Sequence, residues 1–469
     1  MNKEKEQKLR ELFEKRRNNK TITKKSDKLT LDQRVRYVEE NLKKMDWKKA
    51  DVPFQANKQI TDLKKYLVNT KNHVSHVSVD VDATCSGLQH YALIKRDVTT
   101  SYSVNVADTP VPQDIYNDIA KVMMRIFREI DKGTCTNQNV LNFINKEYEG
   151  ISKREEKLKE VKRWLKLGVT RKDTKRIVMT LTYGLQDDGI RKYSQEAIKN
   201  HGIESFDGNA GTAKNLFFVV IKEALKEGSK AAVEAQEFLT KIAAHRARIN
   251  KICQWTLSDG FTAYRGKTQS VLSENIKVKY NTLKKEEDDT GKKYFKVVSR
   301  ETDFKEQLPK YLEGSEIDLY INNARMKSGI APDFVHSMDA CLLRMAIRIA
   351  HNKYNVKSFK AVHDSLGVLP ADVDKLQLAI REATVQMYGG KDTNILRDWA
   401  IEVVLDKQRK DFIDLPLSEK LELWEEVKST VNNEVEESGA NEKMLISDYD
   451  IALGNFDVQE VMTSKYYFS

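Results

Sequence analysis

The stretch that decides the fold is Thr170-Arg-Lys-Asp-Thr-Lys-Arg-Ile-Val-Met-Thr-Leu-Thr-Tyr-Gly184. A threonine followed three residues later by an acid is a capping-box pattern, which predicts a helix beginning at Arg171. Steps of four residues lead from Arg171 to Lys175, Met179 and Tyr183 and keep them near one side of that helix. Because helix N-termini attract anions, this side is suited to a triphosphate at its start and a sugar or base further along. A solvated basic helix with a core tyrosine would show the same spacing.

Two other stretches place acids beside short apolar strands. The segment from His76 to Asp82 alternates and predicts a strand, and the segment from Ser358 to Leu369 predicts two short strands around Asp364. Mg²⁺ prefers oxygen ligands, usually one or two carboxylates together with substrate phosphates. Asp82 and Asp364 are therefore candidate metal ligands. Acids at strand ends also cap backbone, and the spacing alone does not show that the two meet.

Composition restricts the class of protein. The 469-residue chain is 40% hydrophobic and has no apolar run near the ~18 residues of a membrane-spanning helix. Its four cysteines are widely spaced without a CxxC pair, which favours neither a disulfide framework nor a zinc site. With no signal segment after Met1, we expect a cytoplasmic protein.

Charge is unevenly distributed along the chain. The formal net charge is +10, and residues 1–28 carry eleven Lys or Arg against five Asp or Glu. Residues 419–442 carry eight acids and two lysines. The basic arm 1–28 predicts contact with a polyanion, although ordinary charged surface helices would give the same balance.

Apolar periodicity predicts an α+β, helix-rich fold. None of the seven prolines lies between Pro112 and Pro309, which favours helices in that interior. A helix over 333–352 is expected to be entered through Pro332, and strands over 275–280 and 293–298 are expected to flank a charged turn. The other predicted helices cover residues 30–45, 113–131, 151–167, 212–227 and 229–254.

Four stretches, in chain order, resemble motifs of the single-subunit RNA polymerases of phages and mitochondria. They are the first catalytic-carboxylate motif Asp82-Ala-Thr-Cys-Ser-Gly-Leu-Gln-His90, the fingers-helix motif over 171–184, the histidine segment Gly329-Ile-Ala-Pro-Asp-Phe-Val-His-Ser337 and the second carboxylate motif Ala361-Val-His-Asp-Ser-Leu-Gly367. Residues 255–261 are a weaker fifth match. The resemblance covers residues from about 30 to the C-terminus.

The resemblance implies a right-hand fold, with a palm built on a small antiparallel sheet and helical fingers. The implied division is a basic arm at 1–28, palm at 29–98, fingers at 99–336 with the nucleotide-binding helix 170–184 and the hairpin 268–300, and palm again at 337–469. The family's N-terminal domain and thumb are expected to be absent from this chain. A second protein chain would supply them, which makes this the catalytic chain of a split phage polymerase.

The resemblance also implies DNA-templated RNA synthesis, with a DNA template, nascent RNA and NTPs as partners. Two Mg²⁺ ions would be bound by Asp82, Ala83 and Asp364. Arg171 and Lys175 would hold the triphosphate, and Tyr183 with His336 would select a ribose through its 2′-hydroxyl. Of these residues, the implied catalytic set is Asp82, Asp364, Lys175, Tyr183 and His336. The hairpin falls where phage members place a promoter-reading hairpin, although an ordinary exposed hairpin fits as well.

There are two alternatives. A related DNA polymerase of the same right-hand superfamily would tend to carry a glutamate after the second carboxylate, where this chain has Ser365. A non-catalytic nucleic-acid-binding subunit, which is a different class of protein, should have lost a carboxylate or a phosphate ligand. The chain retains all six matched residues: Asp82, Arg171, Lys175, Tyr183, His336 and Asp364. Asp80 stands where the family has an apolar or small residue, so it is left out of the catalytic set.

Overall fold

The computed structural model describes residues 29–50, 53–145, 150–185, 187–206, 208–266, 268–270, 275–287, 293–305, 319–362 and 365–468. The architecture is helix-rich with small antiparallel sheets, as the sequence predicted.

The structure describes eleven α-helices in the first half of the chain. They are α1 (Leu31–Asn41), α2 (Pro53–Val68), α3 (Ser86–Lys95), α4 (Val98–Ser103), α5 (Ile115–Lys132), α6 (Gln138–Ile144), α7 (Gly150–Leu167), α8 (Arg171–Leu181), α9 (Asp187–His201), α10 (Ala210–Gly228) and α11 (Lys230–Arg248). The later α-helices are α12 (Asn323–Tyr354), α13 (Val373–Tyr388), α14 (Ile395–Val404), α15 (Leu417–Glu437) and α16 (Asp448–Ile451).

The strands form four small antiparallel sheets in the described part of the chain. In chain order they are β1 (Val79–Val81), β2 (Cys253–Thr256), β3 (Thr262–Arg265), β4 (Thr268–Ser270), β5 (Asn275–Glu287), β6 (Lys293–Lys305), β7 (Leu319–Ile321), β8 (Lys360–Val362) and β9 (Ser365–Val368). β2 pairs with β3, β4 with β7 and β5 with β6.

The three-stranded sheet has the order β1-β9-β8 and joins distant parts of the sequence. Val81 of β1 pairs with Leu366 of β9, and both side chains are buried. The Ser365 hydroxyl donates to the Val81 carbonyl oxygen at 3.3 Å. The sheet therefore brings the strand that precedes Asp82 against the strand that begins at Ser365.

One core cluster of buried apolar side chains includes residues from both halves of the chain. α12 packs against α11 on one side and α13 on the other. Trp255 of β2 contacts Phe334 of α12 and Trp399 of α14, with ring centroids 6.2 and 6.3 Å apart. This packing holds α12, and with it the histidine segment, against β2.

A close approach between α3 and the end of α8 positions the candidate site. A Cβ atom on Gly87 would lie 2.5 Å from the Cβ of the buried Thr182, closer than side-chain atoms pack. Glycine at position 87 therefore allows the turn after α8 to lie against the stretch that follows Asp82.

Three predicted helix ends were wrong by several residues. α1 ends at Asn41 rather than continuing to residue 45. α12 begins at Asn323, and Pro332 lies inside it. The start is set by Asn322, whose side-chain oxygen accepts from the Arg325 N–H at 3.0 Å. α11 ends at Arg248 rather than continuing to residue 254, because Asn250 takes a positive φ of 55° and the chain then enters β2.

Strand lengths also differ from prediction. β1 covers only three residues of the predicted stretch from His76 to Asp82. β5 and β6 are longer than predicted, because their pairing runs from Asn275 opposite Lys305 to Glu287 opposite Lys293. The charged residues 284–287 therefore belong to β5, and residues 288–292 of the predicted turn lie outside the described residues. So does the predicted basic arm, residues 1–28.

In the described part of the chain, no helix is both long enough and apolar enough to cross a membrane.

Candidate active site

A cavity of about 370 Å³ lies between the end of β1, the start of α3 and one side of α8. It is lined by Asp82, Ala83, Thr84, Cys85, Ser86, Asn105, Pro112, Gln113, Tyr116, Arg171, Lys175, Met179 and Tyr183. The cavity therefore brings together five of the residues singled out from the sequence: Asp82, Ala83, Arg171, Lys175 and Tyr183.

The start of α8 is fixed by the predicted capping box. The buried Asp173 carboxylate accepts from the Thr170 N–H at 2.9 Å and from its hydroxyl at 2.7 Å. The Nε2 atom of His201 lies 3.0 Å from the same carboxylate and forms a further hydrogen bond with it. Burial raises the pKa of Asp173, but the hydrogen bonds from His201 and Thr170 outweigh it and hold the pKa below its usual value.

The cavity side of α8 follows the predicted spacing up to Met179. The helix then ends at Leu181, so Tyr183 lies in the following turn and not on the helix as predicted. Gly184 has φ of 71°, a conformation that favours glycine, and its N–H donates to the Leu181 carbonyl at 3.0 Å. The turn directs the chain away from the helix axis while keeping Tyr183 at the cavity.

The two cations of α8 lie beside groups that the sequence did not single out. The Arg171 Nε donates to the Asp114 carboxylate at 2.6 Å. The Tyr116 ring centroid lies 5.0 Å from the Arg171 guanidinium carbon and 5.9 Å from the Lys175 ammonium. The Tyr116 hydroxyl donates to the Thr84 carbonyl at 3.0 Å, and burial raises the pKa of this phenol. Tyr116 thus stays neutral and links α8 to the segment after Asp82.

Asp114 and Tyr116 were missed because no local signal marks them. An acid and an aromatic residue at the start of a helix are common in any globular protein. Their role depends on contact with Arg171, 57 residues further along the chain. Only the packing of α5 against α8 brings them together.

Tyr183 and His336 are in contact, as two residues of one site would be. Their ring centroids are 4.7 Å apart with an interplanar angle of 38°. His336 is exposed, so it is not a core histidine of an apolar helix. One turn earlier on α12, Asp333 accepts from Arg265 of β3 at 2.8 Å. This contact ties the His336 segment to the β2–β3 hairpin.

Asp82 lies one residue beyond β1 and is exposed at the cavity. Its Oδ1 accepts from the Ala83 N–H at 3.0 Å, and Ala83 forms a bridge with Phe468 near the C-terminus. Asp364 lies outside the described residues, so its role stays a prediction. Among the residues that the structure does describe, no group of three or more His, Cys, Asp or Glu is arranged to hold a metal ion.

Asp80 is engaged elsewhere. Its carboxylate forms an ion pair with Lys360 of β8 and accepts from the Ser78 hydroxyl at 2.9 Å. It is not among the cavity-lining residues of the described chain. This position agrees with leaving Asp80 out of the catalytic set.

The fold and the order of the motifs define a class of protein. A family model described as DNA-dependent RNA polymerase matches residues 22–469. The chain belongs to this family, and its helix-rich fold with small antiparallel sheets agrees with the palm and fingers of a single-subunit member.

Curated relatives come from phages and mitochondria. The chain is 29% identical to T7 RNA polymerase of Escherichia phage T7, over 78% of this chain and 42% of the relative. It is 31% identical to the DNA-directed RNA polymerase of Enterobacteria phage T3, over 66% of this chain and 34% of the relative. It is 24% identical to DNA-directed RNA polymerase 1, mitochondrial, of Arabidopsis thaliana, over 94% of this chain and 38% of the relative. The chain therefore spans less than half the length of these relatives.

Proposed function

We propose that this chain carries the nucleotidyl-transfer centre of a DNA-directed RNA polymerase, which adds NTPs to an RNA 3′-hydroxyl on a DNA template. The observation that carries the proposal is the cavity itself, which is lined by Asp82, by Arg171 and Lys175 of α8, and by Tyr183 in the turn after α8. Family membership supports the reaction, and the cavity supplies groups of the chemical types that it needs.

The triphosphate would lie along the first two turns of α8. Arg171 and Lys175 are separated by four residues, a rise of about 6 Å, so both reach one polyphosphate. The adjacent helix N-terminus adds a favourable dipole. Arg171 is already held by Asp114, which keeps its guanidinium in place beside Tyr116 before a nucleotide arrives. A phosphate of the incoming NTP has to share or replace that contact.

The donors near Asp82 fit Mg²⁺. Carboxylate and carbonyl oxygens are the ligands that this ion prefers. Asp82 provides a carboxylate, and Ala83 provides its backbone carbonyl oxygen. In our proposal Asp364 is the second carboxylate, and two ions are held. When bound, they would supply Lewis-acid stabilisation of the attacking and leaving oxygens. In this proposal Asp82 would hold the metal charge at the cavity edge, where the α-phosphate of the NTP would lie.

Tyr183 and His336 would act on the sugar. Both are polar aromatic side chains in mutual contact, and Tyr183 lines the cavity on the far side from Arg171. A site built to hydrogen-bond a hydroxyl discriminates strongly against an analogue that lacks it. The pair is therefore placed to prefer a ribonucleotide through its 2′-hydroxyl.

The division into palm and fingers is part of the same proposal. Segments 29–98 and 337–469 would form the palm, and the pairing of β1 with β9 supports this by joining the two. Segment 99–336 would form the fingers. In this proposal the hairpin within 268–300 contacts promoter DNA. The antiparallel pairing of β5 with β6 supports that role, because a two-stranded ribbon can enter the major groove.

A second protein chain is also proposed as a partner. α1 and α2 are described throughout and bury no residue. Large apolar side chains on and after α2 face solvent, with Phe54 82%, Val68 89% and Val74 70% exposed. Exposed apolar surface of this kind favours protein contact. Co-purification from the native source, repeated with Phe54→Glu, tests this proposal. We expect a second chain to co-purify with the wild type and to be lost from the variant. A monomer in both preparations would contradict the proposal.

The reaction is tested with the protein from its native source, together with any chain that co-purifies. Extension of an RNA primer on a DNA template is measured with NTPs for the wild type and for Asp82→Asn. We expect template-dependent RNA synthesis by the wild type, its loss in the variant, and unchanged binding of the template duplex. Synthesis by Asp82→Asn at the wild-type rate would refute the role of this carboxylate.

A further inference from the structure

Three residues form one row across the three-stranded sheet β1-β9-β8. Asp80 of β1 pairs with Gly367 of β9, and Gly367 pairs with Lys360 of β8. The Asp80 carboxylate and the Lys360 ammonium meet as an ion pair. Ser78 steadies the carboxylate with a hydrogen bond of 2.9 Å.

The glycine in the middle of the row is what lets the two charged groups meet. A Cβ atom at position 367 would overlap the Asp80 carboxylate and the Ser78 hydroxyl. Every other residue type carries that atom and would force the Asp80 carboxylate and the Ser78 hydroxyl to shift from their positions across β9.

The ion pair links two strands that share no backbone hydrogen bonds in this sheet. Its order is β1-β9-β8, so β1 and β8 each pair only with β9. β8 contributes three residues, all exposed. Backbone pairing holds the edge strand β8 over only three residues. The ion pair between the outer strands β1 and β8 therefore adds a restraint on β8.

The pair lies close to Asp82 along the chain. Side chains alternate along a strand, so Asp80 points away from the core into which Val81 points, and the same alternation, continued one residue past the end of β1, would put Asp82 on the side of Asp80. Two residues along a strand are about 7 Å, which places the ion pair one row behind Asp82. Asp80 and Lys360 remain 39% and 46% exposed, and exposed ion pairs contribute about 0–1 kcal/mol to stability. A contribution to stability alone therefore explains little of this arrangement.

We propose that Asp80 and Lys360 are positioning residues that clamp β1 to β8 across Gly367 and thereby set where Asp82 presents its carboxylate for metal binding. The proposal rests on the proposed function, because it takes Asp82 as a metal ligand. Neither residue touches the reactants in this proposal. Both act through the strand that ends beside Asp82.

The test measures Mn²⁺ affinity by calorimetry, so it has a readout besides activity. Asp80→Asn and Lys360→Met are each compared with the wild type, and with the double variant that carries both Asp80→Lys and Lys360→Asp. The matched control is Lys375→Met, which breaks an ion pair to Asp372 on a lysine that is also 46% exposed. Unfolding midpoints are recorded for every variant.

We expect each single variant to weaken Mn²⁺ binding about tenfold, at the lower end of what changes around metal ligands cost. The exchanged pair should recover most of that loss, and Lys375→Met should bind as the wild type does. Gly367→Ala should weaken binding as the single variants do, because its Cβ displaces the carboxylate. Unfolding midpoints of the two single variants should stay close to the wild type.

Two results would overturn the clamp. One is wild-type Mn²⁺ affinity in both single variants. The other is a combination of two findings. Lys360→Met would bind an RNA–DNA duplex more weakly and with weaker salt dependence, and Asp80→Asn would keep the wild-type Mn²⁺ affinity. That combination would make Lys360 a phosphate contact instead. If the wild type binds no Mn²⁺ at all, the result counts against the proposed metal site itself. Failure of the metal site is thus distinguishable from failure of the clamp.

Discussion

The ring of Tyr183 lies 4.7 Å from the ring of His336, and this contact joins the turn after α8 to α12. The two residues are 153 positions apart in the sequence. Gly184, the next residue, takes a φ of 71° in the turn that carries Tyr183, a conformation that favours glycine. Sugar selection, in our proposal, depends on this pair.

Tyr183→Phe keeps the ring and removes the hydroxyl. We expect the preference for ribonucleotides over deoxyribonucleotides to fall about tenfold, which is the worth of one hydrogen bond of about 1.4 kcal/mol. The measurement is the ratio of kcat/KM values for the two sugars in primer extension. Tyr193→Phe, on α9 and outside the cavity lining, is the control and should leave the ratio unchanged. An unchanged ratio in Tyr183→Phe would remove this hydroxyl from sugar selection.

Arg171→Gln should weaken nucleotide binding. Charge-assisted hydrogen bonds are worth about 1.5–3 kcal/mol, so we expect KM for NTPs to rise roughly 10- to 100-fold. The control is Arg176→Gln on the same helix, since Arg176 is 60% exposed and pairs with Glu196 away from the cavity. Equal effects of the two substitutions would show that general positive charge, and not the Arg171 position, governs binding.

Gly87→Ala should disturb the site through packing. The added methyl would meet the buried Thr182 at 2.5 Å, and overpacking of this kind costs about 1–3 kcal/mol. Urea unfolding should show that loss, and primer extension should slow because Thr182 precedes Tyr183.

Gly211→Ala is the control for that substitution. It also lies in the first turn of a helix, but a Cβ atom there meets nothing within 4 Å, so stability should stay equal or rise slightly. Equal unfolding free energies for Gly87→Ala and the wild type would contradict the close approach.

The carboxylate of Asp173 makes the stability of the α8 region depend on pH. Hydrogen bonds from His201 and Thr170 outweigh burial and hold its pKa below the usual value. A lowered folded-state pKa contributes stability above the unfolded value of about 3.9, and that contribution is lost as pH falls through the folded-state pKa. The difference in unfolding free energy between the wild type and Asp173→Asn should therefore be largest near pH 6 and shrink towards pH 3. A difference independent of pH would contradict the assignment.

What could be predicted from the sequence was mostly local. The capping box of Thr170 and Asp173 depends on residues three apart, and the structure confirms it. The line of Arg171, Lys175 and Met179 depends only on helix geometry and also holds. The start of α12 could not be read in the same way, because Pro332 is a typical first-turn residue and nothing local shows that the helix already began at Asn323.

Contacts between distant segments needed the fold. The pairing of Val81 with Leu366 joins residues 285 positions apart, and its only sequence signal was the resemblance of the flanking motifs. The Asp80–Lys360 pair gave no signal at all, because an acid on one strand and a lysine on another are common. The decisive residue was Gly367, whose missing side chain matters only once β9 lies between the two.

The most direct test of the central claim is addition of a single ribonucleotide to an RNA primer on a DNA template, measured in Mg²⁺ under single-turnover conditions. Lys175→Met removes a cation that lines the cavity, and Lys172→Met removes an exposed cation from another side of the same helix. We predict that Lys175→Met slows addition roughly 100-fold, as loss of a charge-assisted contact of about 3 kcal/mol would. Lys172→Met should stay within about twofold of the wild type, since surface substitutions change little. Equal rates for the two variants would contradict the claim that this cavity is where the nucleotide reacts.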